Sequence, residues 1–229
     1  AQAVAPAEAE PRKVIAAEAN DPESSVDSVD STDPAGAATE LVIPQYANQE
    51  CTLGSVDPES GYALSVQLTS AGAAIESVQL TSPQFMDLKR RNQHARIVGN
   101  NPTPDRTFST AVAVIDKQLE KAGQTLETAH WNLVTTSDDE NGASAIFEYE
   151  APDKSLRIRK TYTLPKLNVT GAELQNAWRE NAAFYTLQVA IELTNLSDKP
   201  QKVEYEMQGP VGVLLENEEH TSKYRDIHV

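Results

Sequence analysis

The chain has a single cysteine, Cys51, among 229 residues. One thiol closes no internal disulfide and builds no multi-cysteine metal site, so Cys51 is expected to be a small buried hydrophobe. Long apolar runs are missing too. Nothing approaches the roughly 20 residues that a helix needs to cross a bilayer, and no signal-peptide pattern opens the chain. Positive charge is scarce: 19 Lys and Arg stand against 34 Asp and Glu, a formal charge of −15 at pH 7. Such a surface disfavours nucleic acid and anionic lipid head groups, which are held by clustered Lys and Arg. The basic triplet Lys89-Arg90-Arg91 reads as a solvated loop rather than an anion site.

Sequence signatures of catalysis are equally absent. There is no nucleophile elbow, phosphate loop, zinc spacing or paired-carboxylate motif. The four histidines, His94, His130, His220 and His228, show no helical ligand spacing. Glu216-Asn217-Glu218-Glu219-His220 has side chains that suit a hard cation, but it reads as a solvated acidic run. Asn168-Val169-Thr170 and Asn195-Leu196-Ser197 match the glycosylation sequon, a pattern frequent by chance. No catalytic, metal-binding or cofactor-binding residue is assigned.

What the chain does have is 39% hydrophobic residues, enough for a core, distributed unevenly. Residues 1–40 are Ala, Glu, Asp, Ser and Pro with nine acids against Arg12 and Lys13. Such a stretch cannot bury enough surface to offset roughly 1–2 kcal/mol of ordering entropy per residue, so it is expected to be a disordered acidic linker. The folded domain is expected to span 41–229. Within it, Thr52 to Gly61 reads as turn-rich and strand-poor.

Beyond that point period-2 alternation dominates, and the fold class it predicts is mainly β with little helix. Tyr62, Leu64, Val66 and Leu68 alternate with small or polar residues; Ala71-Gly72-Ala73 makes a turn; Ile75 to Leu80 returns, with a slip at Ile75 and Glu76 that predicts a bulge. Thr110 to Ala122 fits a helix or a strand followed by a loop. Further strands are expected at His130 to Thr135, Ala145 to Glu150 and Leu156 to Leu164, the last placing Lys160 on the apolar face. Thr170-Gly171-Ala172-Glu173 fits a capping box, opening a short helix from Glu173 to Asn181. The clearest strand is Tyr185 to Leu193, whose odd positions are large and apolar; Val203, Tyr205 and Met207 are expected to return beside it as a hairpin. Ending on the charged run from Glu216 after its best strands, the domain is expected to be truncated at its C-terminal end.

Three of these stretches resemble one family. Residues Ser65 to Leu80 are similar to the early strand, Gly turn and returning strand of the periplasmic domain in YidC-type bacterial membrane protein insertases. Arg159-Lys160-Thr161-Tyr162-Thr163-Leu164 is similar to the family's "K-T-aromatic-x-L" strand, and Tyr185 to Glu204 resembles its long strand and "N-x-x-x-K-P" hairpin. The resemblance runs in order from about Thr52 to Gly212, with the polar segment Asn168 to Ala183 standing as an apparent insertion. It implies a two-sheet β-supersandwich related to galactose mutarotases, on the periplasmic face of the bacterial inner membrane. The implied role is non-catalytic: assisting membrane protein insertion by contact with Sec translocon subunits or nascent membrane proteins, without a cofactor. The attachment to the membrane would run through helices outside this chain. The mutarotase relation invites an acid–base site, for which His94, His130, Glu148 and Glu150 are the available side chains, but such chemistry needs a convergent pocket. The alternative function is a carbohydrate-binding or mutarotase-like β-sandwich.

Overall fold

The computed structural model describes residues 41–87, 92–100 and 104–214. The expectations for 1–40, for Lys89-Arg90-Arg91, for Glu216 to His220 and for His228 lie outside these residues. Within them the protein is mainly β, with three antiparallel sheets and two short helices.

The first sheet joins β1 (Glu50–Gly54), β2 (Leu64–Thr69), β3 (Ala74–Leu80) and β4 (Arg96–Val98) in chain order. In β2, Leu64, Val66 and Leu68 are buried while Ser65 and Gln67 are half-buried, as their alternation requires. The bulge is present. Gln67 faces Ser77 and Leu68 faces Ile75, so Glu76 has no opposite residue. The β2–β3 turn passes through Gly72 (φ 66°), where a side chain would come within 2.5 Å of the Glu127 carbonyl oxygen. β1 corrects the strand-poor reading of Thr52 to Gly61: Thr52, Leu53 and Gly54 pair with Gln67, Val66 and Ser65 before the turn residues begin.

The second four-stranded sheet joins β6 (Asn132–Asp138), β7 (Gly142–Glu150), β8 (Leu156–Pro165) and β9 (Gln188–Asn195), again in chain order. At the β6–β7 turn the Asp139 carboxylate accepts hydrogen bonds from the backbone of Asn141 (2.7 Å) and Gly142 (3.3 Å). β1 packs against β7 and β8, so the two sheets share one core. That core includes Val66 and Leu68 of β2, Trp131, Phe147 of β7, and Ile158 and Tyr162 of β8.

The third sheet is small, pairing β5 (Thr110–Val112) with β10 (Tyr205–Met207). It overturns the expected hairpin. β9 pairs with β8 along its length, while β10 leaves for β5. Alternation is local and identifies a strand, but the partner is decided by which edge has backbone groups to satisfy. The segment 110–122 contains both forms that its pattern allowed, β5 followed by α1 (Ala113–Leu119), which buries Ile115 and Leu119.

The chain from 170 to 185 departs from expectation in two ways. Helix α2 (Gly171–Glu180) forms, but the Thr170 side chain makes no capping bond. Gly171 is left-handed (φ 58°), and its N–H is taken instead by the Glu59 carboxylate at 3.1 Å. Ala182 to Tyr185 then forms a 3-10 turn, with the Asn181 side chain accepting from the Ala183 N–H at 3.0 Å, so β9 begins at Gln188 rather than Tyr185.

Candidate interaction surface

The most unusual buried group is Lys160. The alternation of β8 puts Leu156, Ile158, Lys160, Tyr162 and Leu164 on one face, and all five are at most 1% exposed. The Lys160 Nζ donates to the carbonyl oxygens of Phe108 (2.6 Å), Ala73 (3.1 Å) and Gly72 (3.2 Å), and lies 5.1 Å from the centre of the Trp131 ring. The Tyr162 hydroxyl donates to the Ala73 carbonyl as well, at 2.6 Å. Ala73 (φ 45°) and Phe108 (φ 62°) are both left-handed without being glycine, a conformation that costs on the order of 1–3 kcal/mol each. Lys160 therefore ties two strained turns to the middle of the second sheet. Burial pulls its pKa down to about 7, against a smaller upward push from Glu127. The charged form has all three ammonium hydrogens engaged, which gives the lysine a structural role.

The four side chains available for acid–base work are dispersed. His130 faces the Ser70 hydroxyl across 3.1 Å beside the β2–β3 turn. Glu148 and Glu150 lie on the other face of β7 from the core, where Glu148 accepts from Arg159 at 2.7 Å and Glu150 pairs with Arg157 at 3.3 Å. His94 sits in the segment before β4, bridged to Met86, with its Nδ1 buried and unpartnered. The contacts of these residues link none of the histidines to either glutamate. Among the described residues no group of three His, Cys, Asp or Glu side chains is placed to hold a metal ion.

Other polar groups are committed to structure. Tyr62, buried in the core, donates its hydroxyl to Asp138 at 2.7 Å, which holds the Asp138 carboxyl below its usual range; Lys166 adds a 3.2 Å contact to the same oxygen. Asn168 and Asn195 donate their amides to the carbonyls of Glu140 and Lys199. Cys51 is half-buried rather than fully enclosed, and burial pushes its thiol up to about 11, which keeps it an unreactive small hydrophobe.

A groove of about 410 Å³ remains, between α2 with its following turn on one side and the segment 80–85 on the other. Leu80, Phe85, Trp178 and Tyr185 line it with apolar and aromatic surface. Helix α2 builds this wall because Leu174 and Trp178 are four residues apart and pack together on Ala63, leaving Gln175 and Arg179 at the groove. Trp178 is 3% exposed, and its indole N–H has no acceptor. A buried donor left so costs about 1–3 kcal/mol. Arg179 is exposed and takes no part in the ion pairs among the described residues, which involve Arg157, Arg159, Lys166 and Lys202.

Comparison with protein-family models, with curated proteins and with solved structures finds no match. Accessible features of the structure include the groove and apolar side chains left open on the small sheet and after it, among them Tyr205 (52% exposed), Met207 (44%), Val213 and Leu214. Leu80 and Tyr185 end and begin strand stretches read from the sequence, and Gln175, Trp178 and Arg179 lie in the expected helix, but no motif brings them together. The i, i+4 pair Leu174 and Trp178 was a readable helix stripe, but the opposing wall comes from a distant part of the chain.

Proposed function

We propose that this chain is the non-catalytic periplasmic domain of a YidC-type membrane protein insertase, a β-supersandwich that supports insertion by contact with translocon subunits or nascent chains. The observation that carries the reading is the order of the strands named in the resemblance and the pairing of the first two of them, although the hairpin after the long strand does not form because β10 pairs with β5. Residues 65–80 form the β2–β3 hairpin, 159–164 lie in β8, and the long strand after the polar insertion is β9, hydrogen-bonded to β8. The contact role is supported by the open apolar side chains Tyr205 and Met207 on β10. It is also supported by the dispersal of His94, His130, Glu148 and Glu150 into separate structural contacts.

The test has two arms. Purified protein incubated with aldoses is expected to leave the rate of anomer interconversion at its buffer value. In cells, a photo-crosslinker at Tyr205 of the full-length protein is expected to capture translocon subunits or a membrane protein under synthesis. Anomer turnover that disappears in His94→Ala or His130→Ala would replace this reading with a mutarotase-like one. Absence of any crosslink in an actively inserting membrane would remove the contact role.

A further inference from the structure

We infer that the groove between α2 and the segment 80–85 binds a short stretch of polypeptide in which an apolar side chain lies beside a carboxylate. This deepens the contact reading and rests on it for the choice of polypeptide over other amphiphilic anions.

The groove's chemistry is one-sided. Among the described residues its lining has no acid, although the whole chain carries a net charge of −15. The one charge those residues bring to it is Arg179, which has no ion-pair partner among them. A planar guanidinium free at the edge of an apolar cleft is suited to bidentate capture of a carboxylate. Phe85, 44% exposed, and the half-buried Tyr185 supply rigid apolar surface for an anchor side chain. Trp178 itself lines the groove, so its indole reports on what enters there. The volume of about 410 Å³ fits one or two side chains with their backbone, near the lower end of ordinary ligand pockets.

The 229-residue chain, labelled with ¹⁵N, would be titrated with the hexapeptide acetyl-Ser-Leu-Phe-Asp-Leu-Ser-amide, with its Lys-for-Asp counterpart and with maltotriose. The chain has two tryptophans. The indole N–H of Trp131 is already bonded to the Leu126 carbonyl at 3.1 Å and serves as an internal control. The acidic peptide is expected to shift the Trp178 indole resonance and leave that of Trp131 in place. Arg179→Gln, at an exposed helix position, should weaken this binding by about tenfold or more, the usual scale for a lost charge-assisted hydrogen bond, and abolish the preference over the lysine peptide. Gln175→Trp, which fills the groove from the helix side, should abolish the response while thermal unfolding stays cooperative. No shift up to 1 mM peptide, equal response to both peptides, binding indifferent to Arg179→Gln, or a response to maltotriose alone would each overturn the assignment. Loss of the peptide response with crosslinking from Tyr205 intact would sink the groove alone; loss of both would sink the contact reading.

Discussion

β8 and β9 are neighbours in one sheet and share the same alternation, yet their apolar faces have different fates. Leu156, Ile158, Tyr162 and Leu164 of β8 are almost wholly enclosed. Val189, Ile191 and Leu193 of β9 are only half-buried, although each packs against the core. The difference comes from position: β8 has strands on both sides, β1 of the first sheet packs against it, and β9 is the edge. Alternation therefore reports which face of a strand turns inward, and the neighbours decide how deeply. β10 is the extreme case, since all three of its residues are exposed despite a regular pattern.

The largest expected effect is at the enclosed end of this contrast. Phe147 of β7 is fully buried, and its ring packs edge-on against that of Tyr162 at 6.2 Å. Phe147→Ala should cost roughly 3–5 kcal/mol in chemical denaturation, because a ring-sized hole there is walled on both sides. A loss below about 1 kcal/mol would mean that the two sheets are not held together by this core.

Next comes Lys160, whose removal should cost somewhat less. Lys160→Met keeps most of the volume but removes the ammonium donor from the carbonyls of three left-handed residues, Gly72, Ala73 and Phe108, of which Ala73 keeps the Tyr162 hydroxyl, and is expected to cost roughly 2–4 kcal/mol near neutral pH. The pH dependence has a definite sign. Because burial lowers the folded pKa from 10.5 to about 7, the unfolded chain holds a proton between those values that the folded one has released. Stability of the native protein relative to Lys160→Met should then rise with pH above about 7, by at most about 1.4 kcal/mol per unit, and level off below it. The groups facing Nζ are the carbonyls of Phe108, Ala73 and Gly72, the Trp131 ring and, as its charged neighbour, Glu127. A difference that stays flat from pH 6 to 10 would show that the three carbonyls hold the ammonium charged throughout.

Much of this was legible in the residues. The pattern placed Lys160 on the core face, located the bulge at Glu76, and made the chain mainly β. What it did not contain was long-range choice. β10 finds β5 rather than β9, and the amide of Gly171 finds Glu59 rather than Thr170, because each of these partners is set by the folded neighbourhood. The groove was hidden for the same reason. A stripe such as Leu174 and Trp178 is visible in one segment, whereas a cleft needs a second wall, here Leu80 and Phe85.

At the half-covered end, Val189→Ala and Ile191→Ala should each cost roughly 1–2 kcal/mol, below the enclosed strands because water already reaches part of each side chain. A cost equal to that of Phe147→Ala would place β9 under a further layer in solution, and would turn the contrast between β8 and β9 into a matter of missing cover rather than of edge position.

The smallest effect should fall on the outer face of the same strand. Gln188 and Glu192 are exposed; Glu192 approaches Arg159 only at 3.8 Å, and Arg159 is held more closely by Glu148. An exposed pair at that separation contributes little once solvent and salt screen it. Gln188→Ala and Glu192→Gln are therefore expected to change stability by less than about 0.5 kcal/mol, and added salt should not alter that result. The measurement decides register as well as magnitude. A one-residue slip of β9 against β8 would bring Gln188, Ala190 and Glu192 to the core face and Val189 and Ile191 to the wet one, so the order of losses would reverse. Near-equal losses at odd and even positions would instead mean that both faces of β9 are covered in solution.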